Sequence, residues 1–156
     1  MLVSACLLGE PVRYNGSCVT AALQALQQLQ HHHQIYRLCP EVAAGLPIPR
    51  VAAEIQGRGG AAVLSEQGRI VGSDGSDQTA SFVAGAQLAL NLCLRENIGF
   101  AVLTEGSPSC GSKRIYDGSF TGQQIAGEGV VTALLRQHGV QVFSQHQINE
   151  LLAVLK

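Results

Sequence analysis

A chain of 156 residues, 46% apolar and 13% charged, is long enough to bury a core without disulfides or a structural metal. Its formal net charge of −1 and lack of a basic strip exclude the electrostatic footprint of a duplex nucleic-acid binder or an anionic-membrane binder. No apolar run approaches the roughly 20 residues that cross a bilayer, and MLVSACLLGEPVRY lacks the basic lead-in of a signal peptide, so the expectation is a cytoplasmic protein.

Taken in chain order, residues 1–5 read as a short buried strand, followed by the Gly/Pro-containing loop LLGEPVRYNG. Ser17 is placed to cap a helix reaching about residue 30, with Val19, Leu23 and Leu26 on its buried face and glutamines outside. Residues 35–39 form the next strand, and Pro40 stops it. A loop rich in proline and glycine follows. AAVLSEQGRIVG, residues 61–72, then predicts a small hairpin, apolar on both arms, turning near Gly68. Asp74 or Asp77 opens a long helix to about residue 96, whose apolar positions nearly surround it and leave a thin polar seam through Gln87, Asn91 and Arg95. Residues 98–104 are an interior strand. Residues 105–127 lack periodicity, and an irregular stretch of that length in a compact domain is commonly functional. A helix over 128–138, a strand over 140–143 and a helix over 147–155 complete the chain. Apolar strands alternating with helices predict an α/β fold over residues 1–156: one domain with a mostly parallel sheet, helices on both faces and a small β-hairpin insertion.

Five irregularly spaced cysteines in a chain of this size make a poor disulfide framework and a better set of reduced thiols. Cys6 follows the first strand, Cys39 ends the second, and Cys110 lies in the loop after strand 98–104. Parallel strands bring all three to the sheet edge where α/β proteins bind ligands. Thiolates select iron–sulfur clusters, zinc or copper over hard cations, and three of them leave one coordination position open, as a Lewis-acid catalyst needs. No Cys-x-x-Cys pair exists, which excludes a zinc ribbon or a ferredoxin-type run. The competing reading makes them ordinary core cysteines, and for Cys93, among leucines in the long helix, that reading prevails. Cys18 starts the first helix and is a candidate fourth ligand.

The same loops carry polar partners. Glu41, two residues beyond Cys39, is either an acid/base group or an anchor for Arg50 or Arg13. Ser107 and Ser109 offer hydroxyls to a substrate or serve turn formation, and Thr104 and Glu105 are weaker candidates for those roles. Arg13, Tyr14, Ser112 and Lys113 are donors on loops bordering the expected pocket. Gly127-Glu128-Gly129 before a helix suggests an anion site, and the triple histidine 31–33 falls at a helix end, where imidazolium suits the dipole. The low surface charge permits self-association without requiring it.

Together, SACLLG with RYNG, LCPEVAAGLPIPR, GSDQTASFVAGA, EGSPSCGS, IYDGSFTG and GEGVVTALLR resemble the thiouracil desulfurase family, from Met1 to about Phe143. The resemblance implies a Rossmann-like domain with a [4Fe-4S] cluster held by Cys6, Cys39 and Cys110, with one iron left open for the sulfur of a small thiolated pyrimidine, which water replaces without net redox change. It implies Glu41 and Ser107 as the proton-handling pair, and makes Cys18 and Cys93 bystanders. The residue expectations are therefore Glu41 and Ser107 as catalytic, the three cysteines as ligands, and Arg13, Tyr14, Ser109 and Ser112 as substrate-binding. Asn15 stands where the family pattern carries aspartate. The rival function is a non-catalytic iron–sulfur or zinc sensor.

Overall fold

The structure, a computed structural model, describes residues 1–17 and 23–155. Short apolar runs form the central sheet: β1 (Leu2–Ser4), β2 (Tyr36–Leu38), β5 (Phe100–Leu103) and β8 (Gln141–Ser144), in the order β2-β1-β5-β8. All three pairings are parallel, with Leu2 opposite both Tyr36 and Ala101, and Val102 opposite Phe143. Because side chains alternate across a strand, each strand feeds two cores. Leu2, Ala101, Leu103 and Val142 pack on one face with α4 (Thr79–Arg95) and α5 (Val130–Gln137). Val3, Val102 and Phe143 pack on the other face with α1 (Leu23–His32) and α6 (Ile148–Leu155). Continuous apolar runs are thus what a sheet covered on both faces requires. Among the described residues, no helix is long and apolar enough to cross a membrane.

On α1, Leu26 and Leu29 are buried three residues apart, while Gln24, Gln27, Gln28 and Gln30 face water. The expected cap at Ser17 would act on residues outside the described set, as do Val19 and the ligand reading of Cys18. On α4, the Asp77 carboxylate accepts the Thr79 amide at 2.9 Å, and Asp74 instead organises the turn at Ser76. The polar seam of α4 is wider than expected. Leu88 and Leu94 are 41% and 62% exposed, so they share the solvent side with Gln87 and Asn91 while Phe82, Gly85, Ala86, Ala89, Leu90 and Cys93 are buried.

The expected hairpin is present with a different first arm. β4 (Arg69–Gly72) pairs antiparallel with β3 (Ala53–Gln56), and residues 60–64 between them form a short helix, α3. A brief apolar run such as AAVL has no periodicity to separate strand from helix, and its alanines suit the helix. The aperiodic stretch 105–127 contains a second hairpin, β6 (Arg114–Tyr116) with β7 (Gln124–Ala126).

The chain goes from β1 to β2 on one side, then crosses to the other side of β1 for β5 and β8. The crevice at the carboxyl ends of β1, β2 and β5 is therefore the topological switch point, where open α/β sheets bind ligands. Two glycines seat the loops there. A Cβ on Gly85 of α4 would lie 2.5 Å from the Pro40 carbonyl oxygen, at the start of α2 (Pro40–Ala43). Gly129, at the start of α5, has ordinary extended dihedrals (φ −74°, ψ 168°), but a Cβ there would collide with the Ser109–Cys110 backbone.

Candidate active site

A cavity of about 280 Å³ opens at this switch point. Cys6, Cys39 and Cys110 all line it, together with Arg13, Tyr14, Glu41, Ser107, Thr104 and Glu105. Cys6 lies in the 3-10 turn that follows β1, Cys39 closes β2 and precedes α2, and Cys110 is held under the start of α5.

The thiols are tied down by hydroxyls and carbonyls. Cys6 Sγ lies 2.9 Å from Thr104 Oγ1. Ser4 Oγ accepts the Thr104 amide at 3.2 Å and donates to Cys110 Sγ at 3.9 Å, so the tips of β1 and β5 form one polar link behind two of the sulfurs. Cys39 Sγ donates to the Val12 carbonyl at 3.8 Å. Burial pushes all three thiols up. For Cys6 the Thr104 hydroxyl opposes the rise, and for Cys110 full burial dominates and carries it far above the usual thiol range. In the bare chain they are therefore neutral thiols, and a soft cation binding there displaces their protons. Among the described residues, no three His, Cys, Asp or Glu side chains converge tightly enough to cage a single metal ion.

Glu41 follows Pro40 in the first turn of α2, so the C-P-E sequence places a thiol and a carboxylate on one wall. Its Oε2 accepts Arg50 Nη2 at 2.5 Å. Arg50 is nearly buried, with 6% of its side chain exposed, and also donates to the Val12 and Pro47 carbonyls at 3.1 Å each. Of the two readings of Glu41, the Arg50 anchor is thus present in the geometry, and it fixes the carboxylate beside the cavity.

Ser107 Oγ accepts the amides of Ser109 (2.9 Å) and Cys110 (3.0 Å). With its lone pairs occupied by backbone, the hydroxyl is left with a proton to donate into the cavity it lines. Ser109 and Ser112 lie behind the cavity wall. Ser109 Oγ accepts Cys110 Sγ at 3.6 Å, and Ser112 Oγ donates to Glu105 Oε2 at 2.6 Å. Sequence position brought both close to the pocket, but the turn of the loop directs their hydroxyls inward to protein partners. Arg13 and Tyr14 do reach the wall. Asn15 does not: its Oδ1 accepts the Ser17 amide at 3.0 Å and hydroxyl at 2.6 Å, a local turn that an aspartate would make equally well.

Glu105, a weaker candidate from sequence, organises the whole loop. Its Oε1 accepts the amides of Ser112 (2.8 Å), Lys113 (3.1 Å), Arg114 (3.1 Å) and Gly106 (3.3 Å). Burial alone would raise its pKa, but the Ser112 hydroxyl and these amides outweigh burial and hold it below the usual glutamate range.

At Gly127–Gly129, the segment read as an anion site, most backbone donors serve the fold. The amides of Gly127, Gly129, Val130 and Val131 donate to the carbonyls of Lys113, Gly111, Pro108 and Ser109 at 3.0, 2.8, 2.9 and 2.8 Å, so four amides of this segment are already used by the protein itself. Cys93 is buried in the α4 core, away from the cavity. His31 and His32 sit exposed in the last turn of α1.

Sequence reasoning did not single out Glu54, Tyr116 or Gln124, which also line the cavity. The β3 arm and the β6–β7 hairpin that carry them went unread, although the turn residues Asp117, Gly118 and Ser119 are a hairpin signal. Glu54 is buried and accepts the amides of Gly118 (3.0 Å) and Phe120 (3.2 Å), latching the β6–β7 turn to β3.

A parallel α/β sheet whose switch-point cavity joins three thiols to an anchored carboxylate defines an enzyme class with soft-metal chemistry in reach. The sequence model described as 2-thiouracil desulfurase matches residues 1–147, and the chain belongs to that family of sulfur-removing enzymes. It is also similar to the solved structure of the [4Fe-4S]-dependent thiouracil desulfidase TudS, at 51% identity with a TM-score of 0.89, covering 99% of this chain and 96% of that one. The uncharacterized protein YbbK of Bacillus subtilis (strain 168) is 41% identical over 152 residues, which span 97% of this chain and 99% of YbbK.

Proposed function

We propose that this chain removes sulfur from a thiolated pyrimidine of the 2-thiouracil type, exchanging C=S for C=O with water and releasing sulfide, with no net redox change. The observation that carries this reading is the convergence of Cys6, Cys39 and Cys110 with Glu41 and Ser107 on one cavity at the strand switch point. The donor set fits a [4Fe-4S] cluster: three soft thiols from three separate elements line a cavity of about 280 Å³, and the described residues around it include no fourth thiol. When bound, such a cluster would supply one Lewis-acidic iron with an open position for the substrate's sulfur.

The chain's own residues supply binding and proton transfer. Arg50 holds Glu41 Oε2, and no described residue hydrogen-bonds Oε1, which is left to take a proton from the attacking water and return it to the departing sulfide. Ser107 donates its hydroxyl proton as a hydrogen bond to the reacting pyrimidine. Arg13 and Tyr14 close the cavity from the loop after Cys6. Such thiols persist in a reducing compartment, which supports a cytoplasmic setting.

Anaerobic reconstitution with iron and sulfide followed by 2-thiouracil tests the reading. The expected result is cluster-dependent sulfide release in stoichiometry with uracil. Glu41→Gln keeps an acceptor for the buried Arg50 while removing the base, so turnover should fall at least about 100-fold with iron content unchanged. A fully loaded wild-type protein inert toward thiopyrimidines would defeat the proposal and favour the sensor.

A further inference from the structure

Tyr116 and Gln124 are direct cross-strand partners in the β6–β7 hairpin, so their side chains share one face, and both line the cavity. That face meets Gly106. A Cβ on Gly106 would lie 3.4 Å from Gln124 Nε2 and 4.0 Å from Tyr116 Cε2, so the carboxamide and the ring come together one residue from Ser107. Gly106 has φ +86°, a conformation that keeps this floor free of a side chain. The Gln124 backbone carbonyl accepts Arg114 Nη2, but its side-chain carboxamide makes no hydrogen bond with any described residue. Tyr116 is 37% exposed, an aromatic face open toward solvent beside the cavity.

We infer that Tyr116 and Gln124 form the surface that recognises the pyrimidine ring. A primary carboxamide presents one donor and one acceptor side by side, the complement of the N3–H/C4=O lactam edge that remains when C2 carries the sulfur to be removed. The Tyr116 ring packs on the heterocycle's face, as aromatic side chains do on unstacked bases. Thus the thiols and Glu41 address C2, and the hairpin reads the adjoining N3–C4 edge. This inference rests on the desulfuration reading and extends it to how the ring is chosen.

The test is equilibrium dialysis of uracil and 3-methyluracil against the anaerobically reconstituted protein, with sulfide release from 2-thiouracil measured on the same preparations. Gln124→Leu and Gln124→Glu should each weaken uracil binding about tenfold or more, and should weaken 3-methyluracil, which keeps C4=O but lacks the N3 proton, by a clearly smaller factor. Tyr116→Ala should weaken both ligands about tenfold, and Tyr116→Phe should restore them. Equal uracil affinity in wild type and both Gln124 variants overturns the inference, as does a wild type that binds no uracil. Gln124-dependent uracil binding without sulfide release would remove the desulfuration reading and leave the recognition surface standing. Sulfide release with Gln124-independent binding does the reverse.

Discussion

At Glu105 one carboxylate gathers the Gly106, Ser112, Lys113 and Arg114 amides and the Ser112 hydroxyl, and so sets the path of the loop that carries Ser107 and Cys110. Hydrogen bonds to a charged acceptor are individually stronger than neutral ones, so Glu105→Ala should cost about 2 kcal/mol. The sign of the pH effect follows from the lowered pKa in the folded chain. Stability from a carboxylate lowered by folding is fully present above its unfolded value, about 4.3, and disappears as pH falls through the folded value. Urea titrations of wild type and Glu105→Ala at pH 7 and at pH 3 should therefore show a gap that shrinks at the lower pH. An unchanged gap would assign the loop's order to packing. Glu41 and Arg50 show a different economy: the arginine is too buried to be left alone, which is why the isosteric glutamine is the informative substitution.

Among the elements, α4 is the one whose placement shapes the site. Gly85 lets the helix approach the Pro40 carbonyl, and Pro40 stands between Cys39 and Glu41. Alanine would favour an isolated helix by about 1 kcal/mol, but here overpacking against backbone costs about 1–3 kcal/mol and pushes Pro40 away. Gly85→Ala should thus lower stability on balance and lower the iron bound per chain, whereas exposed Leu88→Ala should alter neither beyond about 0.5 kcal/mol. Iron loading of Gly85→Ala at the wild-type level would show that α2 finds its position without α4. The α4 helix itself was legible from Asp77 and the apolar spacing that follows. The first arm of the hairpin was not, because residues 60–64 carry too few turns to express a helical period. The β6–β7 hairpin was equally hidden: its strands are three residues long, and its order depends on the distant carboxylate of Glu54.

For the molecule as a whole, the sheet has two cores and one working edge, so substitutions sort by which of these they reach. Cys93 belongs to the α4–α5 core and is away from the cavity. Cys93→Ser should cost about 1–2 kcal/mol by burying a hydroxyl, lowering the melting temperatures of loaded and bare protein equally with iron per chain unchanged. Cys110→Ser should abolish the gain in melting temperature on iron loading, because a group bound only by the folded state stabilises it by mass action. A loaded-minus-bare difference that survives Cys110→Ser would take that residue out of the ligand set. The sequence by itself determined the strand–helix alternation, the two-sided burial of the strands, the family, and the placing of Cys6, Cys39 and Cys110 after strands β1, β2 and β5, because all of these follow from local runs, periods and motifs. Only the tertiary structure decided what each loop side chain faces. It turned Ser109 and Ser112 inward, gave Glu41 its buried arginine, tied the amides of Gly129, Val130 and Val131 to the Cys110 loop, and brought Tyr116 and Gln124 to the cavity. Those outcomes arise in loops without a repeating period, where hydrogen-bond satisfaction of buried groups, rather than residue type, selects the orientation.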